Sequence, residues 1–161
     1  MRRALVICAL WLLGAEETHA QSVTQAAPTL YVNEGYRPDA DPDADLALAV
    51  RRAAAENKHI LVVVGGDWCV WCHVLDRFLA RDQEVHAAFA AAFVILKVNW
   101  SRENENAEFL SRYPESTAYP DFFILDAHGQ FLAQQQTDVL ERDRSYDRAQ
   151  MIEFALLWRP T

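Results

Sequence analysis

The stretch Ile60-Leu61-Val62-Val63-Val64-Gly65-Gly66-Asp67-Trp68-Cys69-Val70-Trp71-Cys72-His73 changes its periodicity part-way through. Five consecutive apolar residues, four of them β-branched, predict a strand buried on both faces and central in a sheet. Gly65-Gly66 breaks it. From Val70 to Leu79 the apolar residues Val74, Leu75, Phe78 and Leu79 recur at helical spacing, so a helix with that buried face is expected there. Two cysteines separated by two residues therefore open a helix directly behind a buried strand. At such a place the first sulfur meets unpaired backbone N–H groups and the positive end of the helix dipole, which favours thiolate over thiol. The same two sulfurs can close into a disulfide. Thiol–disulfide chemistry is the use this placement suggests.

The rest of the chain sets the context. It has 161 residues, 52% hydrophobic and 24% charged, enough for one globular domain with a core. Residues 1–20 read as a secretory signal peptide: Arg2 and Arg3 form a basic start, Ala4 to Leu13 an apolar run, and Thr18-His19-Ala20 a small-residue cleavage site. The run is shorter than the roughly 20 residues a membrane span needs, so no span is expected once the signal is removed. Cys8 leaves with it, and Cys69 and Cys72 are then the only cysteines. The formal charge of −8 is unaltered by that removal, because the leader carries two residues of each sign. An acidic chain is a poor match for nucleic acid or anionic lipid. In an oxidising compartment two cysteines ordinarily staple a fold, but a bridge across two residues closes too small a loop to constrain much.

Residues 21–45 form a polar N-terminal segment with Pro28, Pro38 and Pro42, expected to be irregular or loosely held. Asp39, Asp41, Asp43 and Asp45 alternate there as in part of a calcium loop. Ala44 replaces the required glycine and Val50 the bidentate glutamate, so these acids read as a solvated helix lead-in. Leu46, Ala49, Val50, Ala53 and Ala54 predict a one-faced helix ending near Asn57. Further along, a helix is expected over 84–92, a strand over 93–98, and a helix over 104–112 ended by Pro114. A hairpin of 122–125 and 131–133 around Asp126-Ala127-His128-Gly129 follows, then a closing helix over 144–158 with Ile152, Ala155, Leu156 and Trp158 toward the core. Early strands separated by helices imply right-handed parallel crossovers, and the hairpin adds antiparallel strands. The fold class is therefore α/β, with a mixed central sheet flanked by helices.

Residues 46–161 resemble the thioredoxin superfamily. The resemblance is carried by Trp68-Cys69-Val70-Trp71-Cys72 after a strand and by Tyr119-Pro120 before the hairpin. Within the superfamily, Gly65-Gly66-Asp67-Trp68-Cys69-Val70-Trp71-Cys72-His73 is most similar to compact secreted or periplasmic thioredoxin-like proteins. The resemblance implies a thioredoxin-like fold, a cis Tyr119–Pro120 bond beside the dithiol, and backbone pairing of an extended substrate segment there. It also implies an attacking Cys69, exposed at the helix start, and a better-buried resolving Cys72. Two positions depart from the family. Val63 stands where thioredoxins carry a buried acid that assists proton transfer, and Val70-Trp71 replaces the dipeptides that tune reduction potential in thioredoxin and in the strong periplasmic oxidant.

Three supporting residues have two readings each. Trp68 and Trp71 could form an apolar platform for an incoming chain or simply pack in the core, the latter more naturally for Trp68. His73 could help ionise Cys72 as an imidazolium or be a bystander on the helix. Competing chemistries fit less well. Zinc needs four ligands, and His86 and His128 form no short-spaced pair. Cys69-Val70-Trp71-Cys72-His73 spells the haem attachment pattern, but it lies behind a buried strand, and Met151 is the only methionine of the mature chain. No metal and no dissociable cofactor are therefore expected. The overall expectation is a secreted, monomeric thiol–disulfide oxidoreductase, most naturally of the bacterial periplasm. Its partners would be protein thiols or disulfides and a redox-regenerating protein. A binding or carrier module for one partner, in cytochrome maturation or Cu(I) delivery, stays open as the alternative.

Overall fold

The computed structural model describes residues 29–161. The expected signal peptide, Cys8 and the first residues of the polar segment lie outside the described residues. At the centre is β1 (His59–Gly65), whose interior is buried throughout as its unbroken apolar run requires. It pairs in parallel with β2 (Phe93–Asn99), His59 facing Phe93 and Gly65 facing Asn99. On its other side it runs antiparallel to β3 (Asp121–Leu125), which forms a hairpin with β4 (Phe131–Gln136). The sheet order β2-β1-β3-β4 makes a mixed sheet flanked by helices, as expected. In the hairpin turn, Asp126 Oδ1 accepts from His128 and Gln130 N–H groups, and Gly129 supplies a positive φ of 82°.

Helix α1 (Pro42–Glu56) begins earlier than its apolar repeat suggested. Asp41 caps it by accepting from the Asp43 and Ala44 N–H groups, and Pro42 sits in the first turn where a missing N–H costs nothing. The other acids of that run also have local structural partners: Asp43 takes Arg112 at 2.7 Å and Asp45 accepts from Asn33 at 2.9 Å. Ala49 and Ala53 of α1 are fully buried against one sheet face. Helices α2 (Val70–Arg81), α3 (Gln83–Ala92) and α5 (Arg148–Leu157) cover the other, and Asp82 both ends α2 and caps α3. Among the described residues no helix is long and apolar enough to cross a membrane.

Four expectations are corrected. The chain before α1 is not loose: Leu30 and Tyr36 are buried, and Tyr31 bridges Ile95 in parallel beside β2. Asn33 adds a bond to each of the Lys97 backbone groups, at 2.9 Å. The helix expected over 104–112 is one turn, α4 (Ala107–Leu110). Asn104 Oδ1 accepts from the Asn106 N–H and Asn106 Nδ2 donates to the Asn99 carbonyl, an alternative to the helical ladder. The closing helix starts only at Arg148, capped by Asp147, after a 3-10 turn (Thr137–Leu140) and a small hairpin of β5 (Glu141–Arg142) and β6 (Ser145–Tyr146). Its buried residues are Met151, Phe154 and Ala155, while Leu156 is exposed. On α2, Leu75 and Leu79 are buried, and Phe78 is half-buried, tilted against Tyr146.

Candidate active site

Cys69 is the N-cap of α2. Its backbone is extended (φ −84°, ψ 104°), and its sulfur accepts the Cys72 N–H at 3.1 Å, the bond a serine or aspartate oxygen makes at an ordinary helix start. Cys69 and Cys72 are joined in a disulfide. Cys72 has no exposed surface and Cys69 keeps 3%. The exposed Cys69 that was expected is not found: both cysteines belong to the buried core, because the strand behind them and the aromatic residues around the helix start cover the first sulfur's residue as well. The two preceding glycines, read from the sequence as a simple break, are fitted to this site. A Cβ on Gly65 would collide with Cys72 Sγ, and one on Gly66 would meet the Trp68 ring and lie 2.8 Å from Trp100 O.

The aromatic residues divide in the opposite way from the one expected. Trp68 is 51% exposed, with its Nε1–H donating to Trp100 O at 2.7 Å. It stands edge-on to Trp100 and Tyr119, whose rings stack at 5.1 Å. Together the three rings make a ridge beside the dithiol. A cleft of about 650 Å³ runs along it, with Tyr36, Asp67, Trp68 and Trp100 in its walls. Trp71 is half-buried and packs edge-on to Tyr146 at 5.8 Å. Trp100 was missed in the sequence; the available signal was its place immediately after β2, at the same sheet end as Cys69. The Tyr119–Pro120 peptide is cis. Because Asp121 faces Val64, continuing the register sets Pro120 opposite Gly65, at the dithiol end of β1.

Behind the disulfide, Val63 is buried in the same core cluster as both cysteines. Its neighbour across the parallel pair is Lys97, a lysine only 7% exposed. Lys97 Nζ donates to Asp76 Oδ2 of α2 at 2.9 Å and lies over the Tyr31 and Tyr36 rings at 4.7 and 5.4 Å. A buried charge thus does lie behind the dithiol, brought by β2 and answered from α2. The single lysine inside Phe93-Val94-Ile95-Leu96-Lys97-Val98-Asn99 was the signal that could have revealed it. His73 Nε2 donates to the Asp67 carbonyl at 2.8 Å, since a carbonyl can only accept. That bond ties His73 to the loop entering the helix.

The family model described as thioredoxin-like matches residues 41–127. The chain belongs to the thioredoxin-like family. The solved structures agree on the fold. A disulphide isomerase from Xylella fastidiosa superposes with a TM-score of 0.64 at 23% identity, over 78% of this chain and 96% of its own. The C-terminal domain of Neisseria meningitidis DsbD in its oxidised form gives 0.56 at 18% identity, over 74% of this chain and 97% of its own. No curated protein matches the chain. Among the described residues no cluster of three His, Cys, Asp or Glu side chains could hold a metal ion. Chemically, this thioredoxin-like site offers a closed, almost fully buried disulfide at a helix N-terminus with an aromatic ridge beside it.

Proposed function

We propose that the protein is a secreted thiol–disulfide oxidoreductase that exchanges disulfides with partner proteins. The observation carrying this reading is the Cys69–Cys72 disulfide at the first turn of α2, with Cys69 alone retaining surface. In the oxidising direction, a substrate thiolate attacks Cys69 Sγ and forms a mixed disulfide. The electron pair of the broken Cys69–Cys72 bond leaves on Cys72, and a second substrate thiolate then releases the protein as a dithiol. In the reducing direction, the Cys69 thiolate attacks and Cys72 resolves. The helix N-terminus stabilises the Cys69 thiolate in either direction. Trp68, Trp100 and Tyr119 receive the substrate chain, and the backbone at Pro120 pairs with it. The electrons pass between sulfurs with no dissociable cofactor. A second redox protein regenerates the couple, and the chain works as a monomer in the periplasm.

The test is catalytic turnover on a disulfide-bonded protein substrate in a dithiothreitol buffer. The wild type is expected to accelerate reduction at substoichiometric concentration, and Cys69→Ser to abolish the acceleration. A wild type no faster than the buffer alone would overturn the proposal.

A further inference from the structure

Among the described residues, two buried side-chain polar atoms have no hydrogen-bond partner: the hydroxyls of Tyr36 and Tyr146. Both residues belong to the core cluster that holds the disulfide. Buried polar groups are nearly always paired in folded proteins, so an orphan calls for a cause. Tyr36 has 3% of its surface exposed and Tyr146 4%, and only Tyr36 reaches the buried sulfur's side of Gly65. It comes from the chain before α1, and its ring lies against the empty side of Gly65. From the position a Gly65 Cβ would take, Tyr36 Cε1 and Cζ are each 3.3 Å away, and Cys72 Sγ is in contact with the same point. The hydroxyl-bearing end of Tyr36 and the buried sulfur therefore share one small space, left open by a glycine.

We propose that Tyr36 Oη donates a hydrogen bond to Cys72 Sγ when the Cys69–Cys72 bond opens. This rests on the thiol–disulfide reading of the site and names the group that serves its buried sulfur. In the disulfide, Cys72 Sγ shares its charge in a neutral bond and is a weak acceptor. When a substrate thiolate attacks Cys69, the Cys69–Cys72 bond breaks and its electron pair goes to Cys72. The new thiolate is a strong acceptor in a dry site, and hydrogen bonds to ionised groups are roughly twice as strong as neutral ones. Tyr36 keeps its own proton throughout. Burial first, then the negative charges of Asp76 and Asp67 and the nearby Tyr31 and Tyr146, hold its ionisation well above the ordinary tyrosine range. It therefore donates a bond and does not give up the proton, which reaches Cys72 from the substrate thiol or solvent. Val63 offers no polar group on this side of β1, so the donor comes from the segment strapped beside β2.

The experiment is the equilibrium constant of the Cys69/Cys72 couple in dithiothreitol redox buffers, for wild type and Tyr36→Phe. Phenylalanine keeps the ring against Gly65 and removes only the hydroxyl. Loss of a donor used only after the bond opens shifts the equilibrium toward the disulfide by about tenfold, which is a potential about 30 mV more negative. In parallel, denaturant unfolding of the two redox forms should show the reduced form losing stability and the oxidised form losing none. A purely structural hydroxyl would change both forms alike and leave the equilibrium where it was. A shift below twofold, or one toward the dithiol, overturns the inference. A wild-type couple that dithiothreitol cannot reduce overturns the proposed function as well, whereas a normal couple indifferent to Tyr36→Phe overturns this inference alone.

Discussion

The two faces of the central sheet are buried to the same degree and built to different ends. Toward α1, Ile60, Val62 and Val64 of β1 meet Val94, Leu96 and Val98 of β2 and Phe123 and Leu125 of β3, with Ala49 and Ala53 against them. Toward α2, α3 and α5, the alternate residues Leu61 and Val63 share their core with the disulfide, the two orphan hydroxyls and, across from Val63, the Lys97–Asp76 pair. One strand serves both because successive side chains point to opposite faces. The first face is an apolar layer, with the buried Asp121 at its end, and its contribution is stability. The second carries buried polar groups, which stabilise less than apolar packing of the same volume. The difference teaches where to look in such a sheet: the Lys97 charge and the two tyrosine hydroxyls lie on the face that holds the disulfide, whereas the α1 face carries one buried acid, Asp121, where β3 begins.

The sharpest way to break this division is to separate the two sulfurs. Cys72→Ser is expected to accumulate mixed disulfides with protein thiols through Cys69, and Cys69→Ser to give only background, both read on non-reducing gels. Equal trapping by the two variants would remove the distinction between the attacking and the resolving sulfur. On the α1 face, Leu96→Ala should cost about 3 kcal/mol in denaturant unfolding through the cavity it leaves. The same variant should leave the Cys69/Cys72 equilibrium constant within twofold of wild type, because Leu96 touches neither redox state. A large redox shift from this face would show that the two layers are not independent.

The Lys97–Asp76 pair sharpens the contrast further. Asp76→Asn leaves a buried ammonium with a neutral partner, and about 2 kcal/mol of stability should go with it, the usual cost of breaking such a pair reduced by the partial exposure of Asp76. Lys97→Met removes the buried charge and leaves Asp76 within reach of water, so it should cost less than Asp76→Asn. The reverse order would place the desolvation on the wrong partner.

The smallest effect concerns Asp121, the buried acid at the end of the α1 face. Burial raises its carboxyl above the ordinary range, against bonds from Gln134, Ser116 and the Phe122 N–H that lower it. The folded chain then holds this proton more tightly than the unfolded chain. Unfolding releases it, and stability falls as pH rises from the ordinary carboxylate range to the raised native value. Asp121→Asn should flatten that slope while keeping the acceptor for Phe122. A slope unchanged in the variant would assign the pH dependence to other groups.

Much of this layout was legible because its signals are local. The unbroken run before Gly65 announced β1, and the cysteine spacing at a helical start announced the site. Asp126 and Gly129 announced the hairpin turn. What escaped depends on neighbours far away in the chain. Tyr36 sits among polar residues and prolines, and only the fold carries its ring to Gly65. Lys97 is one charge in an apolar strand, and its partner lies on another element, 21 positions earlier. Asn104 and Asn106 fit a helical window until their side chains are seen capturing backbone groups. Trp68 looked like core by its bulk, yet its indole N–H had a carbonyl waiting at Trp100, and that bond pins the ring at the surface.

On the proposed function, the Cys69–Cys72 bridge is a working redox couple and not a staple. Its reduction potential tests this most directly, measured by equilibration with glutathione and dithiothreitol buffers and quantified by thiol alkylation. A working couple is expected between about −270 and −120 mV, the span of the dithiol oxidoreductases. A potential below about −300 mV, where structural disulfides resist the glutathione pool, would contradict it.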